Sequence, residues 1–206
     1  MFFAGSEIFR RIAAALLFVA VTALIQPGAF AQQPSQAYDY RVLATNKTAT
    51  MQKEMNEAAD AGYRMEKVMG GSSTFGGSEV ILIMSKSKTE RATARYSYKL
   101  LATSKTSTMQ KELQEAGDEG FDYKDQTVFG STFGGDEVIA ILELNREAKS
   151  KIRYEYKLLA TTKTSTMQKE LQEAGDAGFK FVGVTISKTA FGGKEVVSIL
   201  RKEIAQ

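Results

Sequence analysis

The stretch YSYKLLATSKTSTMQKELQEAGDEGF, residues 96–121, decides the fold of this chain of 206 residues. Its first part, residues 96–102, alternates large apolar side chains with mostly polar ones, which is typical of a β-strand with one buried face. Further on, Met109, Leu113 and Ala116 recur at the spacing of one face of a helix. The stretch therefore predicts a strand followed by an amphipathic helix.

Both ends of this helix carry recognisable signals. Thr106 or Ser107 can cap the free amide groups at its start, and Ser107 with Gln110 has the spacing of a capping box. Gly120 follows the last turn, where a left-handed residue often ends a helix, and Phe121 can fold back onto that end. The equivalent glycines elsewhere in the chain are Gly62 and Gly178.

Two more strands complete the pattern. The second begins at Phe121, a loop ends in Phe-Gly-Gly at residues 133–135, and residues 137–142 form a third strand that is apolar on both faces. A strand with two apolar faces belongs in the middle of a sheet. With a hairpin between the second and third strands and a right-handed crossover from the first to the second, the predicted strand order is 1-3-2, with the helix on one face.

The whole pattern occurs three times. Met-Gln-Lys-Glu begins at Met51, Met109 and Met167, so the copies are spaced 58 residues apart without a gap. We therefore predict an α+β fold of three tandem β-α-β-β repeats, at residues 38–90, 95–148 and 153–206.

A sheet that carries one helix has a second face to bury. In this arrangement, Leu43, Leu101 and Leu159 of the first strands point away from their own helices, together with half of each central strand. A unit of this size is near the lower limit for independent stability. We therefore predict that helices lie outside and that sheets pack between repeats, either face to face or by joining their edges into one longer sheet.

Residues 1–31 have the pattern of an export signal. Arg10 and Arg11 precede an uncharged apolar run, and Ala29-Phe-Ala31 matches a cleavage site. The alternative is a retained membrane anchor, but the run at residues 12–25 is shorter than the roughly 20 residues that a spanning helix needs. We expect cleavage after Ala31, no membrane span thereafter, and a periplasmic or secreted location in a bacterium.

Composition excludes several kinds of chemistry. The chain contains no His and no Cys, so the commonest general base, the commonest metal ligand and all thiol chemistry are missing. Its formal net charge is +3, from 27 basic and 24 acidic residues, which does not indicate nucleic-acid binding. We expect neither enzymatic activity nor a cofactor or metal.

The candidate ligand-binding residues are a lysine and two threonines at the start of each predicted helix. Free amide groups and the positive end of the helix dipole attract anions there, and lysine and hydroxyl groups add to that attraction. The alternative is ordinary capping beside a solvated lysine. The residues are Lys47, Thr48, Thr50, Lys105, Thr106, Thr108, Lys163, Thr164 and Thr166.

Other recurring polar residues indicate no site. The helix carboxylates, such as Glu54, Glu112 and Glu170, alternate with lysines as on a solvated surface. Tyr40, Tyr98 and Tyr156 alternate with other residues along the first strands. We expect these tyrosines in the core.

The pattern Tyr-x-Tyr-Lys-Leu-Leu, then a short helix with Leu-x-x-Ala-Gly, then Gly-Phe and two strands, resembles the small bacterial family called domain of unknown function 4177. This chain differs from that pattern in having three copies, and in having Tyr63, Phe121 and Phe179 where the family has Trp. The resemblance implies the fold of each repeat and implies no activity or site.

We therefore expect an exported, non-catalytic binding or interaction protein whose partner is an anionic polymer or a protein. Two alternatives stay open. One is a structural, envelope-associated protein without a ligand, and the other is a carboxylate-dependent hydrolase.

Overall fold

The structure is a computed structural model that describes residues 37–73, 77–89, 91, 93–130, 136–150, 152–188 and 194–204. The predicted export signal, residues 1–31, lies outside the described residues, as does most of each Phe-Gly-Gly segment. The described residues belong to one compact unit.

Each predicted repeat folds as strand, helix, strand, strand. The helices are α1 (Thr48–Asp60), α2 (Thr106–Asp118) and α3 (Thr164–Asp176). The strands are β1 (Tyr38–Thr45), β2 (Arg64–Ser73), β3 (Gly77–Ser87), β4 (Tyr96–Thr103), β5 (Asp122–Gly130), β6 (Asp136–Asn145), β7 (Arg153–Thr161), β8 (Lys180–Lys188) and β9 (Lys194–Ile204).

The strands form three separate antiparallel sheets, ordered β1-β3-β2, β4-β6-β5 and β7-β9-β8. This confirms the predicted α+β fold and the 1-3-2 order. The third strand of each repeat is central because it is apolar on both faces; residues 138–142 of β6, for example, are all buried. The prediction that the sheets could join edge to edge is wrong, since each sheet ends at its own edge strands.

Helix C-termini form as predicted. Gly62, Gly120 and Gly178 have positive φ angles of 88°, 93° and 86°. In the second repeat, the amide of Phe121 donates to the carbonyl oxygen of Ala116 at 3.0 Å, which folds the chain back over the last turn.

Helix N-termini differ from the prediction. The N-cap residues are Lys47, Lys105 and Lys163, in extended conformation, and their side chains make no capping hydrogen bond. The side-chain amide of Gln110 bonds to the first strand of the third repeat instead of forming a capping box with Ser107. A strand edge offers this amide both a donor and an acceptor, and the helix start offers it only a donor.

The repeats stack so that each sheet covers the helix-bearing side of the repeat before it. Met51 and Met55 of α1 share one core cluster with Tyr98 of β4 and with Ile139 and Ile141 of β6. The second cluster contains the equivalent positions one repeat later: Met109 and Leu113 of α2, with Tyr156 of β7 and Ile199 of β9. Helices α1 and α2 therefore lie between successive sheets. The prediction that the helices lie outside the sheets is wrong for these two.

The two faces of the first strand are also exchanged relative to the prediction. Leu43 and Leu159 are buried with side chains of their own helices, and Leu101 packs against the cluster of α2. The Tyr98 side of β4 faces the preceding repeat. Because the mostly polar face of this strand also carries Leu101, alternation alone does not say which face meets the helix.

Candidate interaction surfaces

The contact between α2 and β7 is a set of side-chain amides bonded to a strand edge. Gln110 accepts from the amide of Leu158 at 2.7 Å and donates to the carbonyl oxygen of Tyr156 at 2.9 Å. Gln114 accepts from the amide of Tyr156 at 3.0 Å and donates to the carbonyl oxygen of Tyr154 at 3.3 Å. The helix of the second repeat thereby satisfies backbone groups at the free edge of the third sheet.

The contact between α1 and β4 repeats this arrangement. Gln52 accepts from the amide of Leu100 at 2.8 Å, and Asn56 exchanges two hydrogen bonds with the backbone of Tyr98, at 2.9 and 3.0 Å. Gln52 occupies the position of Gln110 one repeat earlier. The chain therefore contains two copies of one docking geometry.

The first interface, between the first and second repeats, also includes contacts between their second strands, β2 and β5. The amide of Val68 donates to the Asp125 carboxylate at 3.1 Å, and the amide of Gly70 donates to Oγ1 of Thr127 at 2.7 Å. These side chains from β5 bond to the otherwise free edge of β2. Lys67 also pairs with Asp125 at 2.9 Å.

A buried carboxylate lies at the centre of the first interface. Glu143 has a side chain that is only 7% exposed, and Nη2 of Arg64 lies 2.8 Å from its Oε1. The hydroxyl group of Tyr98 donates to its Oε2 at 2.8 Å, and Nζ of Lys124 lies 3.6 Å away. The hydrogen bond to Glu143 raises the pKa of Arg64, whereas burial and then the Glu143 charge raise the pKa of Tyr98.

The second interface carries the opposite charges at the same positions. Asp122 stands where the first repeat has Arg64, and Arg201 stands where the second has Glu143. Nε of Arg201 lies 3.1 Å from Oδ1 of Asp122, without the geometry of a hydrogen bond. Burial raises the pKa of Asp122, because desolvation outweighs its basic neighbours. If the third repeat stacked directly on the first, Arg201 would lie opposite Arg64. Such like-charge contacts are unfavourable, so the charge pattern favours the observed order of repeats.

A cleft of about 900 Å³ opens beside these ion pairs. Charged side chains that line it lie in ion pairs: Nη1 of Arg146 lies 2.8 Å from Oδ1 of Asp60, and Nη2 of Arg153 lies 2.8 Å from Oδ1 of Asp118. Among the described residues, no group of three carboxylates is arranged to hold a metal ion. The cleft therefore presents neutralised ion pairs and does not point to an acid–base pair.

The two ends of the stack expose the halves of this interface. Seven of the nine exposed large apolar side chains in the described part of the chain lie there. On the first sheet they are Tyr38 (41%), Tyr40 (66%), Val42 (62%) and Met69 (62%), and on the last sheet Phe181 (52%), Val184 (47%) and Ile186 (60%). We name these surfaces the head face and the tail face.

The head face corrects one prediction. Tyr98 and Tyr156 are buried, as expected, at 2% and 3% exposure, but Tyr40 is exposed. All three tyrosines face away from their own helix, so each needs a preceding repeat to cover it. Within the described residues, the first sheet has no preceding repeat.

Helix α3 belongs to the tail face. It buries Ala174 alone, whereas α1 buries Met51, Met55, Ala58 and Ala59, and α2 buries Met109, Leu113, Ala116 and Gly117. The sequence of α3 is identical to that of α2, so the difference comes from position, because no repeat follows α3 among the described residues.

The structure places the candidate anion-binding residues in three separate groups, one at the start of each helix. Lys47, Lys105 and Lys163 are exposed. The accompanying hydroxyls are half-buried in the first two groups, at Thr48, Thr50, Thr106 and Thr108, and exposed in the last, at Thr164 and Thr166. Gln52 and Gln110, which follow these segments, form docking contacts instead. They are not among the candidates predicted from the sequence, because a recurring glutamine on a helix is also typical of a solvated face.

Comparisons with models of known families, with curated proteins and with solved structures gave no match. The resemblance to domain of unknown function 4177 therefore stays a prediction. Within the part of the chain that the structure describes, no helix has the length and apolar character needed to cross a membrane.

Proposed function

We propose that this chain is an exported, non-catalytic interaction protein whose working surfaces are the head face and the tail face. The observation that carries the proposal is the exposure of Tyr40, Val42 and Ile186. Their equivalents inside the stack are covered: Tyr98 and Tyr156 are buried, and Leu100, Leu158 and Val128 are half-buried. Apolar surface concentrated in two patches is typical of sites where another macromolecule binds.

The internal interfaces support this assignment. They combine apolar contact, hydrogen bonds to a strand edge and ion pairs, all of which are recurrent elements of protein recognition. An unpaired strand edge such as that of β1 is itself a common docking site for another chain.

A photo-crosslinking amino acid tests this proposal. Placed at Val42 or Ile186 in cells that export the protein, it should give adducts with a macromolecule. The same amino acid at Lys111, whose side chain is 77% exposed on the outer side of α2, is the control for non-specific crosslinking. Equal yields from all three positions would contradict the proposal.

Binding of an acidic polymer at the helix N-termini is a second candidate. It is favoured by the absence of side-chain caps at Lys47, Lys105 and Lys163 and by the exposure of these lysines. Each site contributes only about 1 kcal/mol, so appreciable binding would need several sites on one polymer.

Replacing all three lysines by glutamine tests this second candidate. We expect the thermal midpoint to change little and the binding to a sulfated polysaccharide at low ionic strength to be lost. Retained binding by the triple variant, or none by the wild type, would assign these segments to helix initiation alone.

A further inference from the structure

We propose that the head face of one copy of this chain binds the tail face of a second copy, using the contacts that already join its repeats. This inference rests on the proposed function and names the partner. Its basis is the continuity of the two free faces with an interface that the chain builds twice.

The hydrogen-bonding groups match at both faces. Gln168 and Gln172 of α3 occupy the positions of Gln110 and Gln114. On β1, Tyr40 and Val42 occupy the positions of Tyr156 and Leu158, whose backbone groups receive those amides. In the assembly, Gln168 accepts from the amide of Val42, and Gln172 accepts from the amide of Tyr40.

The space required is also present. A Cβ atom at Gly117 of α2 would lie 2.8 Å from Cδ2 of Tyr156 and closer still to the carbonyl oxygen of Tyr154, so the next strand lies directly on this glycine. Gly175 is its equivalent in α3, and nothing lies within 4 Å of a Cβ atom built there. Gly175 therefore leaves the gap into which Tyr38 and Tyr40 of a second copy fit.

Charge is complementary across the two faces. The tail position equivalent to Arg64 and Asp122 is Lys180, which is exposed. In the assembly, Lys180 lies opposite Ser85 of the head face, because Ser85 occupies the position of Glu143 and Arg201. The Ser85 hydroxyl donates to the carboxylate of Glu66. Lys180 of one copy thereby faces Glu66 of the next.

A second ion pair follows from the same equivalence. Asp60 pairs with Arg146 across the first interface at 2.8 Å. The corresponding residues at the free faces are Asp176 on the tail and Lys88 on the head. These also have opposite charges, so both faces carry the polarity that the internal interfaces use.

The contact is heterologous, because each copy uses a different face. Such contacts give a closed ring where the rotation between copies closes, and an open filament where it does not. Either assembly covers the head and tail faces and the edge of β1, and leaves the sides of the stack free.

Sedimentation of the purified full chain over a range of concentrations tests the inference. We expect association that rises with concentration. Tyr40→Glu on the head face and Gly175→Trp on the tail face should each weaken it by about 30-fold or more, because each blocks the centre of a packed face. Both sites are exposed in the single chain, so at a concentration where every protein is monomeric the variants should have the circular dichroism of the wild type and thermal midpoints that are no lower.

Mixing the two variants gives the sharpest result. Each retains one intact face, so an equimolar mixture should form a dimer of one copy of each variant and nothing larger. A symmetric contact of identical faces would not be rescued in this way.

Three results would overturn the inference: a monomer at every concentration, association that neither variant weakens, or no dimer on mixing. If the photo-crosslinks from Val42 and Ile186 then lead to another protein, the proposed function stands and the self-association fails. If those positions give no specific adduct either, both fail together.

Discussion

Replacing Glu143 by alanine should lower the free energy of unfolding by about 3 kcal/mol, near the lower end of the range for breaking a buried ion pair. The carboxylate is buried and accepts hydrogen bonds from Arg64 and from the hydroxyl group of Tyr98, which is itself buried. Its removal leaves the Tyr98 hydroxyl without its acceptor and Lys124 without its ion-pair partner in a poorly solvated place. Arg64 is about half exposed and regains water, which keeps the loss at the lower end. Urea unfolding followed by circular dichroism measures the change.

Two further variants separate burial from charge. Glu115→Ala removes an exposed carboxylate 3.8 Å from Lys111 on the outer side of α2, and should cost no more than about 0.5 kcal/mol. Glu143→Gln keeps an acceptor for Tyr98 and should fall between the two alanine variants. If Glu143→Ala costs no more than Glu115→Ala, the buried cluster does not stabilise the stack.

The sequence predicts those parts of this fold that depend on local patterns. Strand alternation, the Met109 helix stripe and the positive-φ glycines each depend on residues within a few positions of one another. The central place of β6 follows because its two apolar faces both need covering. Each of these features is also present three times, which makes the pattern easy to separate from chance.

Features that depend on the neighbouring repeat could not be predicted in this way. Arg64 and Glu143 are 79 positions apart, and neither residue recurs in the other repeats. Gln110 lies in a segment that also has the spacing of a capping box, so a local interpretation was available and proved wrong. Tyr40 has a local sequence environment similar to that of Tyr98 and differs in exposure because of its place at the end of the stack.

This dependence on position in the stack shapes the candidate surfaces. Helices α2 and α3 have the same sequence, yet one forms an interface and the other presents a free face. The second and third repeats therefore carry an identical helix surface for docking, and the first repeat carries a similar one. Among the residues that the structure describes, the last copy of that surface has no partner.

The glycines of these two helices should respond in opposite directions to one substitution. Gly117→Ala places a methyl group against the Tyr154 carbonyl and the Tyr156 ring, and should lower the free energy of unfolding by about 2 kcal/mol. Gly175→Ala meets open space, and should raise it by up to about 1 kcal/mol because alanine favours the helix. Both are measured by urea unfolding at a protein concentration where the chain is monomeric.

The first repeat provides an internal reference for this comparison. Its equivalent position holds Ala59, buried beneath the second sheet, so an interface of this type can be built around a methyl group. In the second interface, β7 packs so closely on Gly117 that there is no room for a methyl group. Strand β7 would have to move away from α2 to accommodate the side chain of an alanine at this position. That movement would lengthen the hydrogen bonds from Gln110 and Gln114 to β7, which is why the cost exceeds the gain in helix propensity. Equal and favourable effects at Gly117 and Gly175 would show that β7 does not lie directly on α2, and would remove the geometric basis for docking a second copy at α3.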